Sequence, residues 1–305
     1  MNERIDFTEL KTANKLPSPK GVRLNMMRLC QRTNLSMADL ATQIRADPVL
    51  AGLIIKLANV ANPNRIRPIV SISTDVLILV GVQAIRQVVL GISLVSSYQQ
   101  GGCAEFDYMR FWSRSMGMAC AAQALAGAVR IVPVAEMFSC GLLAGIGSLG
   151  LATVRPHRYG QLLREQEGCT IADLTRAEGA LFGFDHLSLT VAMMADWNIP
   201  RLFTDAVLFH EAPDGATFAV GSRQSKLVHM LHLAAFIADL CVASDDQRQI
   251  LLPLIVPHAA ALDIDHDTIA SLLTQISREW VEWGNVLQVP TRALPMLGEP
   301  GAAFA

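Results

Sequence analysis

The chain has 305 residues, 51% hydrophobic, 17% charged and 6% aromatic, with a formal net charge of −2 at pH 7. That balance excludes a disordered polyelectrolyte, is long enough for one large domain or two ordinary ones, and argues against nucleic-acid binding as a property of the whole chain. Charge is uneven, with 12 Lys+Arg against 6 Asp+Glu in residues 1–100 and 13 against 21 in the rest, and the plain reading is an ordinary solvated surface with a basic N-terminal side.

Helix signals recur in chain order. Pro19 opens a segment whose apolar residues Val22, Met26, Leu29 and Cys30 fall on one helical face. Ser36 with Asp39 has capping-box spacing, Asp standing in for Glu, and starts a short second helix. Asp47-Pro48 supplies an N-cap and a proline at N1, and Leu50, Leu53, Ile54 and Leu57 follow at helical spacing. After the turn-rich "ANPNRIRP" (61–68), Ser71 or Ser73 caps "DVLILVGVQAIRQVVLGISLV". Gly81 breaks that run into two helices, the second burying Ile85, Val88, Val89 and Ile92. Paired glycines in "QQGGCAEFD" (99–107) mark an internal linker. Helices resume from Tyr108 to about Arg130 and again after Pro133, and Thr170 with Asp173 starts another. His186–Trp197 and Pro200–His210 are two more, separated by "NIP". Beyond the loop "EAPDGATF" (211–218), a final helical region runs to about Trp283, and "VPTRALPMLGEPGAAFA" reads as a poorly structured tail. No stretch sustains period-2 alternation, so the expected fold is all-α.

Met137 to Val154 carries no formal charge over 18 residues, at the lower edge of a membrane span. Its four glycines and its flanks, Glu136 and Arg155-Pro156, favour a buried core helix instead. "MNERIDFTEL" lacks an apolar signal-peptide core, and the six cysteines include no C-x-x-C pair. The expectation is a cytoplasmic protein with free thiols and no membrane insertion. Within the apolar stretch, Gly145-Ile146-Gly147-Ser148-Leu149-Gly150 matches G-x-G-x-x-G literally. The match lacks its mechanism: no strand precedes it, and Pro156 follows six residues after Gly150.

Five pieces in order resemble the HDOD family, the HD-related output domain of bacterial signalling. They are "LPSP" (16–19), "ADPVLAGLIIKLANVANP" (46–63), "RPIVSISTDVLILVGVQAIRQVVL" (67–90), "FDYMRFWSRSMGMA" (106–119) and "EGALFGFDHLSLTVAMMADWNIP" (178–200). The resemblance implies a multi-helix HDOD architecture over 11–213, with an N-terminal helical lobe (11–104) and a degenerate HD-like helical lobe (105–213). A C-terminal helical extension (214–290) and a tail (291–305) follow. In the catalytic HD phosphohydrolases that this fold resembles, the matching helix carries adjacent His and Asp, which hold a divalent metal that acidifies a water. Here those positions are Ala144 and Gly145, and neither a methyl group nor a hydrogen ligates a metal. An earlier His position is Arg114, His186 and His210 stand at positions resembling later ligands, and the closing Asp falls near Ala235.

The resemblance therefore implies a remnant pocket of Arg114, Ala144, Gly145, His186 and His210, with no catalytic residue, metal or cofactor. The expected function is a non-catalytic signalling module that acts through protein contacts and has room to sense a small ligand. A signalling protein is the expected partner and a homodimer stays open, whereas nucleic acid is not expected. The alternative is a divergent metal-dependent phosphohydrolase using His186 and His210. Two lesser patterns carry less. His229-x-x-His232 lacks a third ligand in sequence, and Asp263-x-Asp265-x-Asp267 begins like a calcium loop but has Thr268 and Thr274 where Gly and Glu are needed. The latter is expected to be an acidic N-cap for the helix after Asp267.

Overall fold

The computed structural model describes residues 10, 16–18, 36–60 and 67–294. The helix expected from Pro19 through Cys30, most of the 61–68 loop and residues 295–305 lie outside them. Among the described residues every regular element is helical, as the absence of period-2 patterning requires.

The N-terminal lobe comprises α1 (Met37–Arg45), α2 (Pro48–Val60), α3 (Thr74–Val80) and α4 (Val82–Ser97). Each start has a local cause. Ser36 accepts the Asp39 N–H, Asp47 accepts the Leu50 N–H ahead of Pro48, and Ser73 accepts the Val76 N–H. Gly81, at φ +87°, ends α3 and turns the chain by 87° into α4, a backbone that a residue with a Cβ adopts only under strain. Ile85, Val88, Val89 and Ile92 of α4 are fully buried. Asn59 clamps the far side of this lobe by donating to and accepting from the Ile69 backbone.

The second lobe is built around α5 (Tyr108–Val129), which Asp107 caps at Arg110 N. Then follow α6 (Val134–Leu143), α7 (Ile146–Val154), α8 (Pro156–Glu165), α9 (Ile171–Phe182), α10 (His186–Asp196) and α11 (Arg201–Phe209). Thr170 and Asp173 form the reciprocal capping box at the head of α9.

Beyond residue 213 come α12 (Arg223–Val242), α13 (Asp245–Ala260) and α14 (His266–Leu287). Helix α14 starts at His266 with Asp265 as its cap, accepting the Thr268 N–H at 2.7 Å, so the cap lies two residues earlier than expected. Helices α6, α12 and α14 all pack on α5, so the C-terminal extension supplies one side of the second lobe. The Trp280 indole donates to Ser113 O, and the Ser113 hydroxyl donates to Pro290 O. Arg248 donates to Leu240 O, Cys241 O and Ala293 O. Residues 289–294, expected to be poorly structured, are thus tied to the bundle, and Val289 and Leu294 are buried.

Two helical stretches among the described residues, Val134–Val154 and Arg223–Val242, are long and apolar enough to cross a membrane by length and composition. Of their apolar windows 78% and 61% are buried inside the bundle, which accounts for their hydropathy as core. The glycine fingerprint lies in this region and is a helix-packing feature. A Cβ on Gly147 would stand 2.0 Å from the His186 carbonyl oxygen, and the Gly147 N–H donates to Thr190 Oγ1 at 2.8 Å. Glycine therefore lets α7 approach the first turn of α10, and that contact positions His186.

Candidate functional site

A cavity of about 550 Å³ opens where α5, α7, α10 and α12 meet the loop after α11. Arg114 reaches it from α5, Gly145 from the head of α7, His186 from the first residue of α10, His210 from the end of α11, and Ala235 from α12. Five positions spread over 122 residues of sequence thus share one wall. Ala144 does not: it is fully buried behind the cavity, outside its lining, and the expectation that it belongs to the pocket is corrected here. Ala144 and Gly145 form the turn between α6 and α7, and of the two only Gly145 lines the cavity.

The deepest feature is an ion-pair chain. His186 Nδ1 lies 2.6 Å from Glu178 Oε2, and His186 Nε2 lies 3.1 Å from Glu211 Oε1. Glu178 is fully buried; its Oε2 also accepts the His186 backbone N–H at 2.8 Å, and its Oε1 accepts the Tyr159 hydroxyl at 3.0 Å. Burial opposes charge on the imidazole, but its hydrogen bonds to Glu178 and Glu211 outweigh that and push the His186 pKa up to about 10. Burial likewise raises the Glu211 carboxyl, yet bonding to His186 leaves its pKa below the ordinary value, so it is ionised. The assembly is a carboxylate–imidazolium–carboxylate sandwich with both ring nitrogens donating.

The rim differs. Arg114 Nε and Nη2 grip Asp239 Oδ1 and Oδ2 at 2.6 and 3.3 Å, with side chains 32% and 47% exposed. Asp239 lies one helical turn beyond Ala235, the position where a closing acid was expected. An acid is therefore present on this face, but it is bound to the arginine that stands at an earlier ligand position. His210 is 2% exposed; its Nδ1 donates to Val207 O at 2.6 Å, which leaves Nε2 as the acceptor. Burial holds the His210 pKa below the usual imidazole range. His232 Nδ1 donates to His210 O at 2.6 Å, and its ring packs edge-on against Phe236 and His258. His232 is therefore a structural contact of this wall, and its partner in the His229-x-x-His232 pattern does not line the cavity.

A hard divalent metal requires carboxylate oxygens and imidazoles with free lone pairs. His186 offers none, His210 offers one, Arg114 places a cation at the rim, and Ala144 and Gly145 offer nothing. Among the described residues no cluster of three or more His, Cys, Asp or Glu has a metal-holding arrangement. The residues present do not fit such an ion. Four partners were missed in the sequence: Glu178, Glu211, Tyr159 and Asp239. Glu178 opens the quoted "EGALFGFDH" motif and Glu211 directly follows His210, so both were adjacent to residues already singled out.

A family model described as the HDOD domain matches residues 16–213. Among solved structures, the MmoQ response regulator of Methylococcus capsulatus is 31% identical, with 85% of this chain and 97% of that one covered and a TM-score of 0.53. An HDOD domain protein of unknown function from Geobacter sulfurreducens is 21% identical, with 92% and 96% covered and a TM-score of 0.61. A protein from Shewanella amazonensis named as a candidate phosphohydrolase is 22% identical, with 91% and 97% covered and a TM-score of 0.63. These last two likenesses speak to the fold alone. No curated protein matches the chain.

Proposed function

The chain belongs to the HDOD family, and from that premise we propose that it is a non-catalytic signalling module that works through contacts with a signalling protein and senses a small molecule in its remnant HD pocket. One observation carries the reading. The positions that resemble metal ligands are occupied by internal ion pairs, His186 between Glu178 and Glu211, and Arg114 on Asp239. Such pairs give each cation at these positions a carboxylate partner within the protein, so neither His186 nor Arg114 is free to hold or replace a metal that would polarise a phosphoester. The likeness to a protein named a response regulator supports the signalling class. Burial of both apolar helical stretches in the bundle supports a cytoplasmic location.

Elemental analysis of the purified full chain, paired with a nucleotide and phosphoester turnover screen, tests this. The expected result is substoichiometric metal and no turnover, together with a specific signalling partner recovered by affinity capture. Stoichiometric metal with turnover abolished by His210→Ala would overturn the reading in favour of a divergent phosphohydrolase.

A further inference from the structure

The cavity has a charge imbalance that selects a ligand class. Its deep and rim pairs set three carboxylates, Glu178, Glu211 and Asp239, against two cations, His186 and Arg114. The outer formal charges balance in number: Glu105 pairs with Arg164, and Asp107, which caps α5 at the Arg110 N–H, is matched by the Arg110 guanidinium in the same lining. One negative charge is left over in a partly desolvated site, where an unbalanced charge is costly.

The open polar atoms have the same preference. Glu211 lines the cavity and spends Oε1 on His186; among the described residues its Oε2 has no hydrogen-bond partner. His210, 2% exposed, lines the cavity and spends Nδ1 on Val207 O; among the described residues its Nε2 has no hydrogen-bond partner. Both open atoms accept hydrogen bonds. A third acceptor, Asp239, lines the same cavity. The lining is otherwise largely apolar, with Phe106 and Phe111 in ring contact at 5.3 Å and Leu163, Leu174 and Phe236 also lining the cavity.

We propose that this cavity binds a primary organic amine, its ammonium held by Glu211 and His210 in the field of Asp239, its hydrocarbon or aromatic body on the Phe106–Phe111 wall. The inference rests on reading the pocket as a ligand sensor and adds the chemistry of the ligand. An ammonium brings three donors and one positive charge, matching three acceptors and one surplus negative charge. An anionic ligand would compete with Asp239 for Arg114 and add a second unbalanced charge. A cavity of about 550 Å³ falls within the range of small-molecule sites.

Isothermal titration calorimetry on the full chain at neutral pH tests this with three probes of matched shape: phenethylamine, phenethyl alcohol and hydrocinnamate. Phenethylamine should saturate, the alcohol should bind at least about tenfold more weakly, and hydrocinnamate should give no heat. Glu211→Gln should weaken the amine roughly tenfold or more while the helical circular-dichroism signal is kept. Should that variant not fold, Ala235→Leu fills the cavity without altering a charge and should abolish amine binding. Equal binding of the alcohol, preference for hydrocinnamate, or silence from all three would overturn the amine class. A preference for hydrocinnamate leaves the sensor reading standing, whereas stoichiometric metal with turnover overturns that reading whichever probe binds.

Discussion

Two ion-pair centres share one cavity and differ in almost every physical respect. The inner one, Glu178–His186–Glu211, has a fully buried carboxylate, a His side chain 4% exposed and all its charges hydrogen-bonded. The outer one, Arg114–Asp239, is a bidentate pair open to water on both sides. His186 and Arg114 stand where the resemblance places metal-ligand positions, and each is held by the protein's own carboxylates. A pair held by burial is part of the fold; a pair held at the rim is exchangeable. The contrast predicts that the inner centre sets stability and the outer one sets access.

The sharpest way to break the contrast is to remove the buried carboxylate. Glu178→Ala leaves the His186 Nδ1–H, the Tyr159 hydroxyl proton and the His186 backbone N–H without their acceptor together. Breaking a buried pair from one side costs about 3–5 kcal/mol, and the loss should appear in urea unfolding as a lower midpoint at unchanged slope. A cost below about 1 kcal/mol, typical of exposed pairs, would erase the distinction between the centres.

Alkaline pH loosens the same centre without mutation. The folded His186 value, about 10, lies above its ordinary 6.5, so its contribution is complete below pH 6.5 and declines as pH rises toward 10. From pH 7 to 9 the unfolded chain has lost that proton while the folded one keeps it, a loss of at most about 3 kcal/mol by linkage. Glu211 works in the opposite direction, its lowered value contributing above its ordinary 4.5 and failing as pH falls. Stability attributable to this centre should therefore peak between those limits, and thermal melts across pH should show the alkaline decline vanish in His186→Phe.

The scaffold under His186 offers a third test. Adding a methyl group at Gly147 meets backbone atoms of α10, which cannot rotate away. Gly147→Ala should cost about 1–3 kcal/mol as overpacking, and hydrogen exchange should rise first in α10, whose first turn bears His186.

These effects bear on what the sequence could disclose. Caps were legible because they are local: Ser36, Asp47, Ser73 and Thr170 each bond within three residues. Of the positions that family order singled out as a pocket, Arg114, Gly145, His186 and His210 line one cavity and Ala144 does not. The partners were not legible, because a side chain's bonding depends on which helix crosses it. Glu178 meets His186 eight residues on, across the three-residue break between α9 and α10, and Asp239 meets Arg114 across 125. Gly147 was visible only as a motif; its reason, the crossing of α7 and α10, exists only in three dimensions.

The smallest expected effect completes the comparison. Arg114 and Asp239 are about a third and a half exposed, so water screens their attraction and competes for both partners. Asp239→Asn should cost no more than about 1 kcal/mol, and less still in high salt. The Glu178→Ala penalty should hardly respond to salt, because its charges have no solvent to share. A double-mutant cycle of Arg114→Met and Asp239→Asn, run at low and high salt, measures the coupling directly. Coupling that approached that of a buried pair and resisted salt would mean that the rim is as closed as the core, and the cavity would then lack the entrance that ligand binding requires.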